Sequence, residues 1–344
     1  MAKALITSVA LSTHRKQPVD DGELRVFQAA CFDFRLSAGC DQFGQHQLVV
    51  DPDEADVIIF VERGDGGFRE GWQGAFAERL REHPWVKRYR EKSFVFDRED
   101  YSIPFLPGLY TGLLKKHYDP ARTRTGYYAA ADLNPYIDYR PLDSPAPYLA
   151  TFVGSLINHQ VRAKLANLPQ DKFLVINKGV FGANHEERHR LWSSYADAMA
   201  AGMFSLCPRG GSPATIRVFE SMRMGRCPVI LADEWVFPQK IDWKSCAIVV
   251  PEKQVQRLPE ILESKRSEAI RLGTRARQEW EQHYSPSVQF HWLVETCLEL
   301  MRERRLPEQY ARLLAWRHLF HYYELIRFLF SKRNFFRAER RLVF

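Results

Sequence analysis

The 344-residue sequence predicts an α/β protein made of two Rossmann-like domains, each built on a parallel sheet. Three observations predict it. Short apolar strand patterns alternate with amphipathic helical patterns along most of the chain, the order that builds βαβ units. Some strand patterns are nearly continuous, such as Val57-Ile-Ile-Phe-Val61, as expected for strands covered on both faces. A stretch rich in Pro and Tyr, residues 102–149, interrupts the alternation once and leaves two halves, each long enough for its own core.

In the first half, residues 4–11 read as a strand and 13–22, with Pro18, Asp20 and Asp21, as the loop at its end. Leu24 to Leu36 is amphipathic and reads as a helix. Residues 47–50 and 56–61 read as strands, Glu62 to Gly67 as a turn, 70–82 as a helix and 92–96 as a strand. The charged turn Asp97-Arg-Glu-Asp100 follows. Residues 102–149 read mostly as irregular loop, a length uncommon without a function. They are expected to hold the last elements of the first domain, part of an acceptor surface, and a linker near Pro141 to Pro147.

The second half reads as a strand at 149–153, the turn Gly154-Ser155, a short helix at 162–168, a strand at 172–176 and a helix at 186–201. Strands at 203–207, 227–231 and 247–250 and helices at 258–264 and 266–282 complete it. The expected domains are 1–145, 146–300, and a basic, aromatic helical tail at 301–344 whose first part crosses back onto the first domain.

The most informative stretch is 203–238. The apolar run Met203 to Cys207 ends at Pro208, and Arg209, Gly210 and Gly211 make a turn. Ser212 reads as a helix N-cap with Pro213 in the first helical position. The helix runs to about Met224, and Gly225 suits the position just past its end. A glycine turn feeding a helix N-terminus can hold an anion. Arg217 and Glu220 are three residues apart and share a face. A cation and a carboxylate beyond such a turn point to a nucleotide, with phosphates near Arg209 and Arg217 and a ribose diol near Glu220. The plain structural alternative is a generic glycine turn followed by an i,i+3 ion pair worth only tenths of a kcal/mol.

The runs Phe204-Ser-Leu-Cys-Pro-Arg-Gly210, Ile216-Arg-Val-Phe-Glu-Ser221 and Gly225-Arg-Cys-Pro-Val-Ile-Leu-Ala-Asp233 resemble the signature of exostosin-like glycosyltransferases, glycosyltransferase family 47, in a bacterial-type form. Ser221 stands where the family usually has Ala. The resemblance implies the GT-B architecture: two Rossmann-like domains facing a cleft, with C-terminal crossover helices. It also implies an inverting transfer of a sugar from a nucleotide-sugar, most directly a UDP-sugar, to a saccharide acceptor in polysaccharide or glycan synthesis, without a metal cofactor. Carried onto this chain, it assigns donor binding to Arg209, Gly210, Arg217 and Glu220, and adds Gly154 and Arg162 from the Phe152-Val-Gly-Ser155 run and the Arg after it. An inverting reaction needs a base for the acceptor hydroxyl. That base is expected from a turn of the first domain, Asp97 or Asp100 foremost, with Glu62, Asp65 and His14 also qualifying by position. Tyr195 and Lys164 read as packing and surface residues. The alternatives are a fucosyltransferase-like GT-B enzyme using a GDP-sugar and a non-catalytic saccharide-binding protein.

A net charge of +7 and a pI near 9.0 suit anionic partners such as nucleotide diphosphates or an anionic membrane surface. Acidic residues interleave with the basic ones, which argues against nucleic acid. Six cysteines form no C-x-x-C pair or zinc spacing and read as reduced thiols in a reducing compartment. No run of about 18 uncharged apolar residues is present, so no spanning helix is expected. Arg and Lys interleave with Phe in residues 327–344, the pattern of a membrane-surface contact. The expected location is cytoplasmic, peripheral on the inner membrane face. His185 and His189 stand at i,i+4 and His318 and His321 at i,i+3 without further evident ligands. Gly-x-Ser-x-Gly and Walker A runs are missing, which excludes the hydrolases and NTPases they mark.

Overall fold

A computed structural model describes residues 1–8, 29–62, 80, 82–98, 104–178 and 185–314. The chain forms two compact units, one of Met1–Gly126 with the chain from Phe290 onward, the other of Tyr127–Gln289. The divisions fall at 126/127 and 289/290 rather than at the expected 145/146 and 300/301.

The first unit carries strands β1 (Ala2–Thr7), β2 (His46–Leu48), β3 (Val57–Glu62), β4 (Ser93–Asp97), β5 (Gly108–Tyr110) and β6 (Thr123–Thr125). They form one parallel sheet in the order β2-β1-β3-β4-β5-β6. Ile58, Ile59 and Phe60 of β3 and Phe94 and Phe96 of β4 are fully buried, as continuous apolar strands require in a sheet covered on both faces. Helix α1 (Ala29–Ser37) and the short α2 (Pro84–Arg88) belong to this unit. The long stretch read as loop supplies β5 and β6. These strands are three residues each, too short to show a periodicity.

The second unit carries β7 (Tyr148–Val153), β8 (Phe173–Ile176), β9 (Gly202–Pro208), β10 (Cys227–Leu231) and β11 (Ile248–Val249), all parallel in the order β11-β10-β9-β7-β8. Its helices are α3 (Gln160–Ala163), α4 (His185–Ala200), α5 (Ile216–Met224), α6 (Trp243–Cys246), α7 (Leu258–Ser264) and α8 (Ala269–His283). One cluster packs Val161, Leu165, Leu258, Leu262 and Leu272 with Phe152, Phe204 and Val229. A second packs Tyr195, Ala196 and Met199 of α4 with Val153, Ile137 and Met224.

Helix α5 begins at Ile216, later than Ser212 and Pro213 would place it. Thr215 is its N-terminal boundary and makes no side-chain cap. Ser212 instead closes the preceding turn, its Oγ accepting the Ala214 N–H at 3.2 Å. The other end is as read: Gly225 has φ +85°, and its N–H donates to carbonyls of the last turn. That left-handed conformation costs a non-glycine residue roughly 1–2 kcal/mol. A Cβ there would also lie 2.7 Å from a ring carbon of Tyr139. Gly225→Ala is therefore expected to destabilise the protein by about 2 kcal/mol, measured by denaturant unfolding.

Helix α9 (Pro286–Glu303) crosses the division at 289/290, so the return to the first unit comes earlier than the tail. Helix α10 (Glu308–Leu314) is tied to that unit by Arg122, which holds both carboxylate oxygens of Glu308 at 2.7 and 2.9 Å. Residues 315–344, including the membrane segment 327–344, lie outside the described residues. Among the described residues no helix is long and apolar enough to cross a membrane. The cysteines are free thiols, all buried except Cys40.

Candidate functional site

The winding of the second sheet reverses between β7 and β9, since β8 is added on one side of β7 and β9, β10 and β11 on the other. Loops diverge at such a point and leave a crevice beyond the carboxyl ends of the strands. The turns there are Gly154-Ser155 after β7 and Arg209-Gly210-Gly211 after β9. Two motifs about 50 residues apart in sequence, roughly 165 Å of extended chain, are thus neighbours across the switch point.

Arg162 joins the two turns. It lies on the four-residue α3 and is 7% exposed. Its Nε donates to the Arg209 carbonyl at 2.9 Å, Nη1 to Ser155 at 3.4 Å and Nη2 to Pro208 at 3.3 Å. Its guanidinium also lies 5.7 Å from the Phe152 ring centre. A Cβ on Gly210 would approach Arg162 Nη2 to 2.9 Å, so a larger residue there would have to shift that guanidinium.

Arg217, in the first turn of α5, is also buried. Its Nε and Nη2 both donate to the Val153 carbonyl, at 3.0 and 2.5 Å, and its guanidinium covers the same Phe152 ring at 4.7 Å. A Cβ on Gly154 would come within 2.1 Å of Arg217 Nη2. Gly154→Ala must displace that guanidinium. The expected cost is about 2 kcal/mol of stability, read by thermal melting.

Glu220 turns the other way. It is 4% exposed. One carboxylate oxygen accepts the Asn134 N–H at 3.1 Å and the other the Tyr195 hydroxyl at 2.5 Å. The hydrogen bonds of Arg217 and Glu220 thus run to different elements, β7 on one side and α4 with the 134 turn on the other. Burial pushes the Glu220 carboxyl above its ordinary range, against the hydrogen bonds from Tyr195 and Asn134 and the charge of Arg217. Burial and the neighbouring carboxylate push the Tyr195 phenol well up. Tyr195 is therefore more than the packing residue its helical face suggested. Asn134 was missed altogether. Its Asn-Pro dipeptide marks a turn, and its Oδ1 does accept the Tyr136 N–H at 2.9 Å. Its reach to Glu220 is a property of the fold alone.

Arg209 is half-buried over its own turn, donating to the Gly210 and Gly211 carbonyls at 3.4 and 3.3 Å. Its Nη1 is 4.0 Å from Glu252 Oε1. Glu252 is held in turn by Asp233, each accepting the other's backbone N–H at 3.0–3.1 Å. Arg162 and Arg217 each donate to backbone carbonyl oxygens, and a guanidinium stays charged in such surroundings. Three guanidiniums, Arg162, Arg209 and Arg217, thus gather at the β7 and β9 turns.

Of the candidate bases, Asp97 is the last residue of β4 in the first unit and is 4% exposed. Glu62 ends β3. Asp100, Asp65 and His14 lie outside the described residues.

The exostosin GT47 domain model matches residues 129–265. The chain is 33% identical over 126 residues to Exostosin-1 of Drosophila melanogaster, covering 36% of this chain and 16% of that protein. It is 38% identical over 80 residues to Probable beta-1,4-xylosyltransferase IRX10 of Arabidopsis thaliana, covering 23% of this chain and 19% of that protein. The chain thus spans less than a fifth of the length of these relatives. Among solved structures, Anabaena Alr3699/HepE in complex with UDP is 11% identical with a TM-score of 0.38, covering 86% of this chain and 99% of that one, a likeness too low to argue from. Gly154, Arg162, Arg209, Arg217 and Glu220, with the Asn134 and Tyr195 that hold Glu220, all fall within 129–265, the segment that the exostosin GT47 domain model matches.

Proposed function

We propose that this protein is an inverting glycosyltransferase that moves a sugar from a nucleotide-sugar, a UDP-sugar in the first instance, to a saccharide acceptor in polysaccharide or glycan synthesis. The observation that carries this reading is the gathering of Arg162, Arg209 and Arg217 at the switch-point turns of an exostosin GT47 segment. In sugar transfer, negative charge grows on the leaving diphosphate. Fixed cations aimed at that charge lower the barrier because they need no reorganisation as it develops. In this reading Arg209 and Arg162 face the diphosphate, Arg217 fixes the Gly154 turn, and Glu220 keeps lone pairs for the ribose hydroxyls beside those taken by Tyr195 and Asn134. The base that takes the acceptor proton is assigned to the first unit, with Asp97 and Asp100 as candidates. The proposal also keeps a cytoplasmic location and an anionic membrane surface as a partner of residues 327–344, which co-sedimentation with anionic vesicles tests.

The test is a binding titration with UDP and GDP, followed by a panel of nucleotide-sugars with product linkage analysis. UDP is expected to bind more tightly than GDP. The double variant Arg217→Ala, Glu220→Ala, checked for folding by circular dichroism, is expected to lose that binding. Affinity unchanged in a folded double variant removes the donor-site reading.

A further inference from the structure

Helix α4 opens with His185-Glu-Glu-Arg-His189, an H-E-x-x-H run. Residues four apart lie one above the other on a helix face, so the two imidazoles meet. His185 is exposed and His189 half-buried. Their Nε2 atoms are 2.9 Å apart. Their ring centres are 4.1 Å apart, with the planes tilted by 46°. An end-on N–H···N bond would separate the centres by the bond and both ring radii. Here the centres are little farther apart than the nitrogens, so the rings lie obliquely side by side. His189 Nδ1 is 2.9 Å from the Tyr136 hydroxyl, and the His189 ring meets Trp192 edge-on at 5.4 Å. Tyr136 is itself held. Its N–H donates to Asn134 Oδ1 at 2.9 Å, and Asn134 Nδ2 donates to the Trp192 carbonyl at 2.8 Å. All of these residues belong to the second unit.

We infer that His185 and His189 form a metal site for a late first-row divalent ion, Cu²⁺ foremost, with Tyr136 positioning His189. The site is separate from the residues assigned to the donor and does not depend on that reading. Two nitrogens 2.9 Å apart subtend about 90° at an ion placed about 2.05 Å from each. That is the angle between neighbouring ligands of a square-planar or octahedral ion, whereas a tetrahedral one needs the nitrogens about 3.3 Å apart. Imidazole suits Cu²⁺, Ni²⁺ and Zn²⁺, and this angle favours the first two. A ligating histidine holds its ring by donating the other N–H to a fixed acceptor, and the Tyr136 hydroxyl stands where His189 Nδ1–H needs one. In the free protein one proton lies between the two Nε2 atoms. The ion takes its place, and that proton moves through solvent to Nδ1 of the same ring, so a neutral pair releases none. A helix N-terminus is mildly unfavourable for a cation. Glu186 and Glu187 oppose that field and Arg188 and Arg190 add to it, so the coordination bonds must hold the ion. Among the described residues no group of three His, Cys, Asp or Glu side chains is placed to hold a metal. Water fills the other positions, and no hydrolytic step is assigned to Glu186.

The experiment is calorimetric titration of the untagged, chelator-stripped full chain with Cu²⁺, Ni²⁺ and Zn²⁺, with electron paramagnetic resonance of the Cu²⁺ complex. Wild type is compared with His185→Gln, His189→Gln and Tyr136→Phe, each checked for folding by circular dichroism. Wild type is expected to bind Cu²⁺ more tightly than Ni²⁺ or Zn²⁺, with two imidazole nitrogens resolved in the Cu²⁺ spectrum. Each histidine variant is expected to lose one of those nitrogens and at least about tenfold in affinity, and Tyr136→Phe to lose about tenfold with both nitrogens kept, the usual scale for a residue that orients a metal ligand. Binding equal in wild type and both histidine variants places the ion elsewhere and overturns the site. Absence of saturable binding to wild type at millimolar metal overturns it as well. Affinity unchanged in Tyr136→Phe overturns the positioning role of Tyr136. Each of these results leaves the donor-site reading standing, since UDP binding is measured separately.

Discussion

Glu220→Ala is expected to lower stability by roughly 3–5 kcal/mol. The carboxylate accepts the Tyr195 hydroxyl and the Asn134 N–H in a buried position. Removing it strands two donors, and each unsatisfied buried polar group costs about 1–3 kcal/mol. For a unit of this size a loss of that order lowers the melting temperature by roughly 10 °C. Tyr195→Phe removes one of those donors, so the double variant is expected to be less than additive, and a double-mutant cycle reads the coupling directly. Glu220→Gln separates stability from charge. Because burial raises the Glu220 pKa in the fold, its contribution is fully present below the unfolded carboxyl pKa. It declines as pH rises through the folded value. Gln carries no charge and escapes that decline. Wild type is expected to lose stability relative to Glu220→Gln as pH rises from 4 towards neutrality, followed by thermal melts across that range. A difference that is flat with pH would show that the carboxyl titrates alike in the folded and unfolded states.

Arg162→Ala is expected to cost about 3 kcal/mol in stability and at least tenfold in UDP affinity. The guanidinium binds three carbonyls, two on the β9 turn and one on the β7 turn, and hydrogen bonds from a charged donor contribute roughly 1.5–3 kcal/mol apiece before losses elsewhere. Without it the two switch-point turns lose their common tie and the crevice loses a buried cation. Arg162→Lys keeps the charge but not the planar fork of donors. It is expected to recover less than half of the lost stability and little of the affinity. Full rescue by Lys in parallel melting and binding titrations would show that charge alone matters at this position.

Much of the fold was legible because parallel α/β structure writes itself locally. Val57–Val61 and Cys227–Leu231 are continuous apolar runs bounded by turn residues, and both are buried strands. Gly225 was readable because an ended helix needs a residue tolerant of positive φ. The start of α5 was misread by three residues because Ser212 and Pro213 have the chemistry of a helix start. The chain spends them on a turn that brings Gly210 against Arg162. Strands β5 and β6 were invisible because they are three residues each, set inside a stretch rich in Pro and Tyr with no apolar run to mark them.

The sequence alone determined the alternation of strand and helix, the glycine turns, and the presence of Arg162, Arg209, Arg217 and Glu220 at spacings that suggested a nucleotide. It did so because propensity, capping and the apolar period act within a few residues. Only the tertiary structure decided what those side chains hold. Arg217 and Glu220 share a helical face in sequence, yet one fastens the end of β7 and the other joins α4 to the Asn134 turn. Hydrogen bonds spanning 25 to 86 residues have no local signature. They exist because the sheet order brings β7 next to β9, and that order is settled by which apolar faces are buried together.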